Sequence, residues 1–156
     1  MFTPRARIVA VAAVMIAVTA VFTLLVRIPI PATQGYVNFS DVATYFAAFA
    51  FGPVIGFVAG GIGAALADII GGYAQFAVLT LLAHGLQGVV AGILGRGRSL
   101  PGLIVAWAAG PAIAEAPFNL LQNVAGGLVG IPLYLAVRRA YPPVMRLARP
   151  EGWQEG

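Results

Sequence analysis

From Ile8 to Val26 the chain runs for nineteen residues without a charged side chain, and further apolar stretches follow up to Val137. About 20 residues at a rise of roughly 1.5 Å each cross the hydrocarbon core of a bilayer, so such a series admits little besides a bundle of membrane helices. Composition agrees: 60% of the residues are hydrophobic and 9% charged, where a soluble domain carries roughly 25% charged residues. Arg5 and Arg7 ahead of the first run resemble the start of a signal peptide. The run exceeds the roughly 7–15 residues of an apolar signal core, so it is expected to stay as the first helix.

The expected architecture is all-α and integral to the membrane: a single membrane domain over residues 1–156, built as a six-helix transmembrane bundle. The helices are expected near 8–26, 38–51, 54–70, 75–94, 100–114 and 117–137. Pro29, Pro31 and Gly35 mark a loop after the first helix, Gly52-Pro53 and Gly71-Gly72 mark tight turns, and Pro111 is expected to disturb the fifth helix. With six spans, Arg5, Arg7, Arg96, Arg98, Arg138, Arg139, Arg146 and Arg149 fall on one side and Arg27 alone on the other. Basic residues accumulate on the cytoplasmic side, so both termini should be cytoplasmic. The grouping of arginines at helix flanks argues against nucleic acid as the partner of the +4 net charge. The absence of Cys excludes disulfides and thiolate chemistry.

Small residues recur every fourth position at Gly52, Gly56 and Gly60, at Gly88 and Gly92, and at Gly126 and Gly130. That spacing lines one helix face and lets backbones approach where lipid supplies no hydrophobic drive. Ala6, Ala10, Ala13, Ala17 and Ala20 form a continuous seam on the first helix, suited either to packing inside the bundle or to docking against another membrane protein. Gly61 and Gly63 imitate part of a dinucleotide fingerprint, but in mid-helix they lack the strand and water-facing phosphate site the motif requires.

With the orientation set, nearly every polar side chain of the membrane region falls in the outer half. Asn38, Ser40 and Asp41 open the second helix; Asp68, Tyr73 and Gln75 lie around the outer end of the third; Thr80, His84 and Gln87 share one face of the fourth. Glu115 lies in the outer turn before the sixth helix, and Asn119, Gln122 and Asn123 stand in its first turns. This layout describes a cup open to the outside rather than a continuous pore. Asp41 and Glu115 are close enough to the interface to be solvated, whereas the deeper Asp68 calls for a partner or ligand. Asn119, Gln122 and Asn123 are the best candidates for ligand contacts, followed by His84 and Thr80, with Asn38, Asp41, Tyr73 and Glu115 around them. No nucleophile motif, HExxH or paired-His spacing is present, so neither an enzyme nor a bound metal or other cofactor is expected.

The stretches GYVNFSD (35–41), FGPVIGFVAGGIGAALADIIGGY (51–73), Thr80–His84–Gly85 and PFNLLQNVAGGLVGIPLY (117–134) resemble the substrate-binding S components of energy-coupling factor (ECF) transporters, in particular the riboflavin-type branch, which also serves vitamin precursors such as hydroxymethylpyrimidine. The resemblance implies a six-helix subunit of a prokaryotic plasma membrane that captures a vitamin outside. It also implies partners: a transmembrane coupling (T) subunit and two cytoplasmic ATPases. By the same resemblance the alanine seam from Ala6 to Ala20 docks on the coupling subunit, and Gln34, Gly35 and Tyr36 belong to a loop that closes over the substrate. His84 stands where related sequences often carry Lys, and the amino terminus lacks the histidine of nickel and cobalt relatives.

Asp41, Asp68 and Glu115 against Arg27 and His84 make the expected site acidic, which favours a neutral or cationic cargo. A pyrimidine or pyridine precursor fits this better than riboflavin or cobalamin. The alternatives are a stand-alone homo-oligomeric carrier or channel, which needs a polar route through the inner half, and a membrane assembly protein that binds no small molecule.

Overall fold

The computed structural model describes residues 3–30, 35–114 and 120–147. Helix α1 (Pro4–Leu25) is followed by a two-stranded antiparallel hairpin, β1 (Ile28–Ile30) and β2 (Gly35–Val37). Then come α2 (Ser40–Phe51), α3 (Pro53–Phe57), a π-helical segment (Val58–Ile62) and α4 (Gly63–Ile70), the last three forming one continuous helix. After a 3-10 turn at Ala74–Phe76 follow α5 (Ala77–Gly95), α6 (Leu100–Ala114), α7 (Leu120–Ala140) and a 3-10 segment at Pro142–Arg146. Among the described residues, Pro4–Leu25, Pro53–Ile70 and Ala74–Gly95 are long and apolar enough to cross a membrane.

The segment after the first helix departs from the expected plain loop. Ile28 pairs with Val37, Pro29 with Tyr36 and Ile30 with Gly35. A strand of a two-stranded hairpin has a free edge, and an edge tolerates the missing N–H of Pro29. Helix α6 runs through Pro111 to Ala114. The last helix, described from Leu120, continues about one turn beyond the expected end, to Ala140.

Helix α2 is the axis of the molecule. Each of its residues from Ser40 to Phe51 except Phe46 is buried, because α1, α3, α5 and α7 surround it. A helix apolar on all sides must be enclosed, and the alanines at 43, 47, 48 and 50 let its neighbours come close. Gly52, at φ +92°, stops it in a conformation that favours glycine, and Pro53 opens α3 directly.

Helix α3 crosses α5 backbone to backbone. A Cβ at Gly56 would lie 2.6 Å from the Gly88 carbonyl oxygen, and one at Gly92 would lie 2.5 Å from the Pro53 nitrogen. The glycine spacing seen in the sequence thus serves helix packing here. On the other side, a Cβ at Gly63 would meet Thr19 of α1 at 2.7 Å.

The outside of the bundle is apolar. Val9, Val14, Val21, Val54, Ile69, Ile70, Val78, Leu79, Ile93, Val105 and Leu128 are all exposed, while Asp41, Thr44, Gln87, Gln122 and Asn123 are buried. An apolar exterior of this extent has no stable place in water.

Candidate functional site

The buried polar side chains gather toward the end of the bundle that carries the β-hairpin. Three groups can be separated by their bonds. The first sits at the mouth of α2. Asn38 leads into the helix through an Asx turn, its Oδ1 accepting from the Ser40 amide at 2.7 Å. Gln122 of α7 reaches across, its Oε1 accepting from the Asn38 amide at 3.0 Å and its Nε2 donating to Ser40 Oγ at 3.2 Å.

The second group lies deeper. His84 Nδ1 is 3.0 Å from Gln87 Oε1; Gln87 Nε2 donates to Asn123 Oδ1 at 2.7 Å and to the Tyr45 hydroxyl at 2.9 Å. Tyr45 donates to Asn123 Oδ1 at 2.8 Å, and the Trp107 indole N–H donates to the Asn123 carbonyl at 2.8 Å. The Gln87 amide nitrogen donates to both Tyr45 and Asn123, and its oxygen faces the His84 ring. Asp41 stands beside this network, its Oδ1 3.1 Å from His84 Nδ1. Neither Asp41 oxygen receives a hydrogen bond from the described residues.

The third group ties the hairpin down. The Tyr36 hydroxyl donates a short hydrogen bond to Asp68 Oδ1 near the end of α4. Arg27 lies 5.2 Å from the Tyr36 ring centre and 5.8 Å from that of Tyr73, and donates to the carbonyls of Gly71 (3.2 Å) and Ala67 (3.4 Å). Burial pushes the Tyr36 phenol above its ordinary value of 10.0, and the Asp68 carboxylate adds to the shift through its bond and its charge.

Below Tyr45, Gln87 and Asn123 the interior turns apolar. Phe49 stacks on Tyr45 and meets Tyr134 edge-on, and Ile55, Ala59, Leu103 and Ile131 complete the floor.

The residues singled out from sequence divide accordingly. Asp41, His84 and Asn123 come together in the deep group, Asn38 and Gln122 at the mouth, and Tyr36, Asp68 and Tyr73 at the hairpin. Asp41 is fully buried rather than solvated at an interface, because α7 presses on it: a Cβ at Gly126 would run into the Asp41 side chain. Asp68 does have the partner its depth called for, in Tyr36. Thr80 is half-buried on the face of His84. Gln34, Glu115 and Asn119 lie outside the described residues.

Tyr45, Gln87 and Trp107 belong to the network although the sequence does not mark them as ligand contacts. Gln87 shares its helix face with His84, and Tyr45 follows Asp41 by one turn, so helical spacing could have found both. For Trp107 the sequence holds no such signal. The alanine seam faces outward: Ala6, Ala10, Ala13 and Ala17 are exposed and Ala20 is half-buried, while α1 turns Met15, Thr19 and Thr23 inward.

A helical bundle with an apolar surface and its polar groups collected inside one end is a membrane protein equipped to handle a small solute. Residues 5–109 match the family model of the ECF-type riboflavin transporter, S component. The chain belongs to that family of transporter subunits. It is similar to an uncharacterized protein encoded in the gap 3′ region of Pyrococcus woesei, 38% identical over 80% of this chain and 97% of that one. It is also similar to the thiamine precursor transporter HmpT of Lactococcus lactis subsp. cremoris, 31% identical over 73% of this chain and 77% of that one. The solved structure of the S component of a bacterial ECF transporter shares the fold, with a TM-score of 0.51 and 20% identity over 94% of this chain and 88% of that one. The chain is thus a substrate-binding subunit of a prokaryotic membrane transporter.

Proposed function

We propose that this S component captures a vitamin precursor from outside the cell and delivers it to an ECF-type importer, with six helices crossing the plasma membrane and both termini in the cytoplasm. Arg96, Arg98, Arg138 and Arg139 stand at the bundle end opposite the hairpin, which supports that orientation. The observation that carries the proposal is the gathering of buried polar groups beneath the hairpin, above an apolar floor. A stand-alone carrier or channel would need a polar path through Phe49, Ile55, Leu103 and Ile131.

In this reading Asp41, His84 and Asn123, with Gln87 and Tyr45, face the cargo. Asn38 and Gln122 line its entry, with Asp68, Tyr73 and Thr80 nearby, and the sequence offers Asn119 and Glu115 as further contacts. The hairpin around Gln34, Gly35 and Tyr36 closes over it. A T subunit docks on the exposed seam from Ala6 to Ala20, and two ATPases supply the energy. The acidic character of the site and the likeness to the thiamine precursor transporter favour a small nitrogen heterocycle.

The test is mass spectrometry of the small molecules released when the detergent-purified protein is denatured. A vitamin-like compound in near-stoichiometric yield is expected. An empty protein whose melting temperature then fails to rise with any of a panel of vitamins and precursors would leave only the assembly-protein alternative.

A further inference from the structure

The end of the bundle away from the hairpin carries charge of one sign among the described residues. The acidic side chains there described are Asp41, in the first turn of α2, and Asp68, near the end of α4, and both belong to the hairpin end. The opposite end holds Arg96, Arg98, Arg138, Arg139 and Arg146, with Arg5 and Arg7 at the start of α1. Two of these are drawn together where α6 begins and α7 ends. Arg138 Nη1 donates to the Arg98 carbonyl oxygen at 3.1 Å, which fixes the end of α7 over the turn between α5 and α6. The Arg98 stem lies back along the first turn of α6, where a Cβ at Gly102 would come 2.7 Å from its Cβ and 3.4 Å from its Cδ. Both arginines are exposed. Two guanidinium groups held at one turn repel each other, and helix packing alone gives no reason to join them. The helices that carry them are apolar outside: Leu100, Ile104 and Leu133 are exposed, and so is Tyr141, three residues beyond Arg138.

We propose that the seam between α6 and α7 is a docking site for an anionic phospholipid. Arg98 and Arg138 hold its phosphate, and its chains lie along the exposed apolar side chains of the two helices. The planar guanidinium fork matches phosphate oxygens in pairs, and basic pockets between membrane helices seat anionic headgroups. Tyrosines collect at headgroup level, where Tyr141 stands beside the pair. An acidic protein surface would match the two arginines but not the apolar flank of Leu100, Ile104 and Leu133; a phospholipid matches both. The surface proposed for the T subunit lies elsewhere, since α1 packs on α2, α4 and the π-helical segment, whereas α6 packs on α5 and α7.

The test is native mass spectrometry of the full-length protein in a neutral detergent, titrated with dioleoylphosphatidylglycerol or dioleoylphosphatidylcholine. One molecule of the glycerol lipid is expected to bind at lower concentration than the choline lipid, whose trimethylammonium group would face the arginines. Arg98→Gln combined with Arg138→Gln is expected to weaken phosphatidylglycerol binding about 30-fold, the usual worth of two arginines near a membrane surface. Arg98→Gln alone leaves the Arg138 bond to the backbone in place and should weaken it about fivefold, which separates loss of the site from loss of the fold. Arg5→Gln with Arg7→Gln removes the same charge from α1 and should change binding less than about twofold, because exposed charges beyond a screening length act weakly. Equal binding of the two lipids would overturn the proposal. So would an equal loss in both double variants, which marks diffuse charge, or displacement of the lipid by an equal concentration of sn-glycerol 1-phosphate, which marks a site for a soluble anion. Loss of co-purifying partner subunits with lipid binding unchanged would assign the arginines to a protein contact instead. The capture function stands in every case, since no cargo enters the measurement.

Discussion

Tyr45 accepts from Gln87 and donates to Asn123 with a single hydroxyl, while Gln87 and Asn123 are also bonded to each other. Tyr45→Phe removes that hydroxyl yet leaves the direct amide bond, so the expected loss of stability is about 1–2 kcal/mol, read from thermal unfolding in detergent. Tyr36 gives a prediction in pH. Its phenol is raised in the folded protein above its ordinary 10.0, so the folded state holds that proton more tightly than the unfolded chain. The Tyr36–Asp68 bond therefore contributes its full stability below pH 10.0 and loses it progressively as pH rises toward the folded value. Unfolding midpoints compared across the alkaline range should fall more steeply for the wild type than for Tyr36→Phe.

At the scale of elements, two devices hold the polar end in shape. One is the crossing of α3 and α5 through Gly56, Gly88 and Gly92. The π-helical segment Val58–Ile62 continues this contact, and Gly60 brings it against the His84 carbonyl and Thr44. Wider π turns often accompany functional sites, and this one passes directly beside the residue that contacts Asp41. Gly88→Val would drive a side chain into the Gly56 backbone, at an expected cost of about 3 kcal/mol. The exposed control Val78→Ala should stay within about 0.5 kcal/mol in the same melting assay. The second device is the hairpin, held by Arg27, Tyr36 and Tyr73 over the end of α4.

For the whole molecule, the distribution of polarity is inverted relative to a soluble protein, with apolar side chains outside and amides within. The alanine seam of α1 is part of that exterior, exposed at Ala6, Ala10, Ala13 and Ala17. Ala13→Leu combined with Ala17→Leu should therefore change stability by less than about 0.5 kcal/mol and spare ligand binding. Co-purification with the coupling subunit and ATPases should be lost in the same variant. If assembly and uptake survive these two leucines, the seam is only a lipid-facing surface.

Much of this was legible in the chain itself. Apolar run lengths determined that the chain is a helical membrane protein, because bilayer thickness acts on any sequence in the same way. The ordered set of motifs determined the family, and the amide-rich start of the last helix pointed to the polar end. Tertiary structure decided what each polar side chain does. Gln122 and Asn123 are neighbours in sequence, yet one turns to Ser40 and the other to Tyr45 and Gln87. Asp68, at the end of its helix, found a partner in a hairpin whose strands were not recognised. Asp41, which the sequence placed at an interface, lies buried because α7 closes over it, and neither of its oxygens has a donor among the described residues. Depth along a helix follows from residue spacing; hydrogen-bond partners depend on which helix faces lie against each other, and that is settled only when the bundle packs.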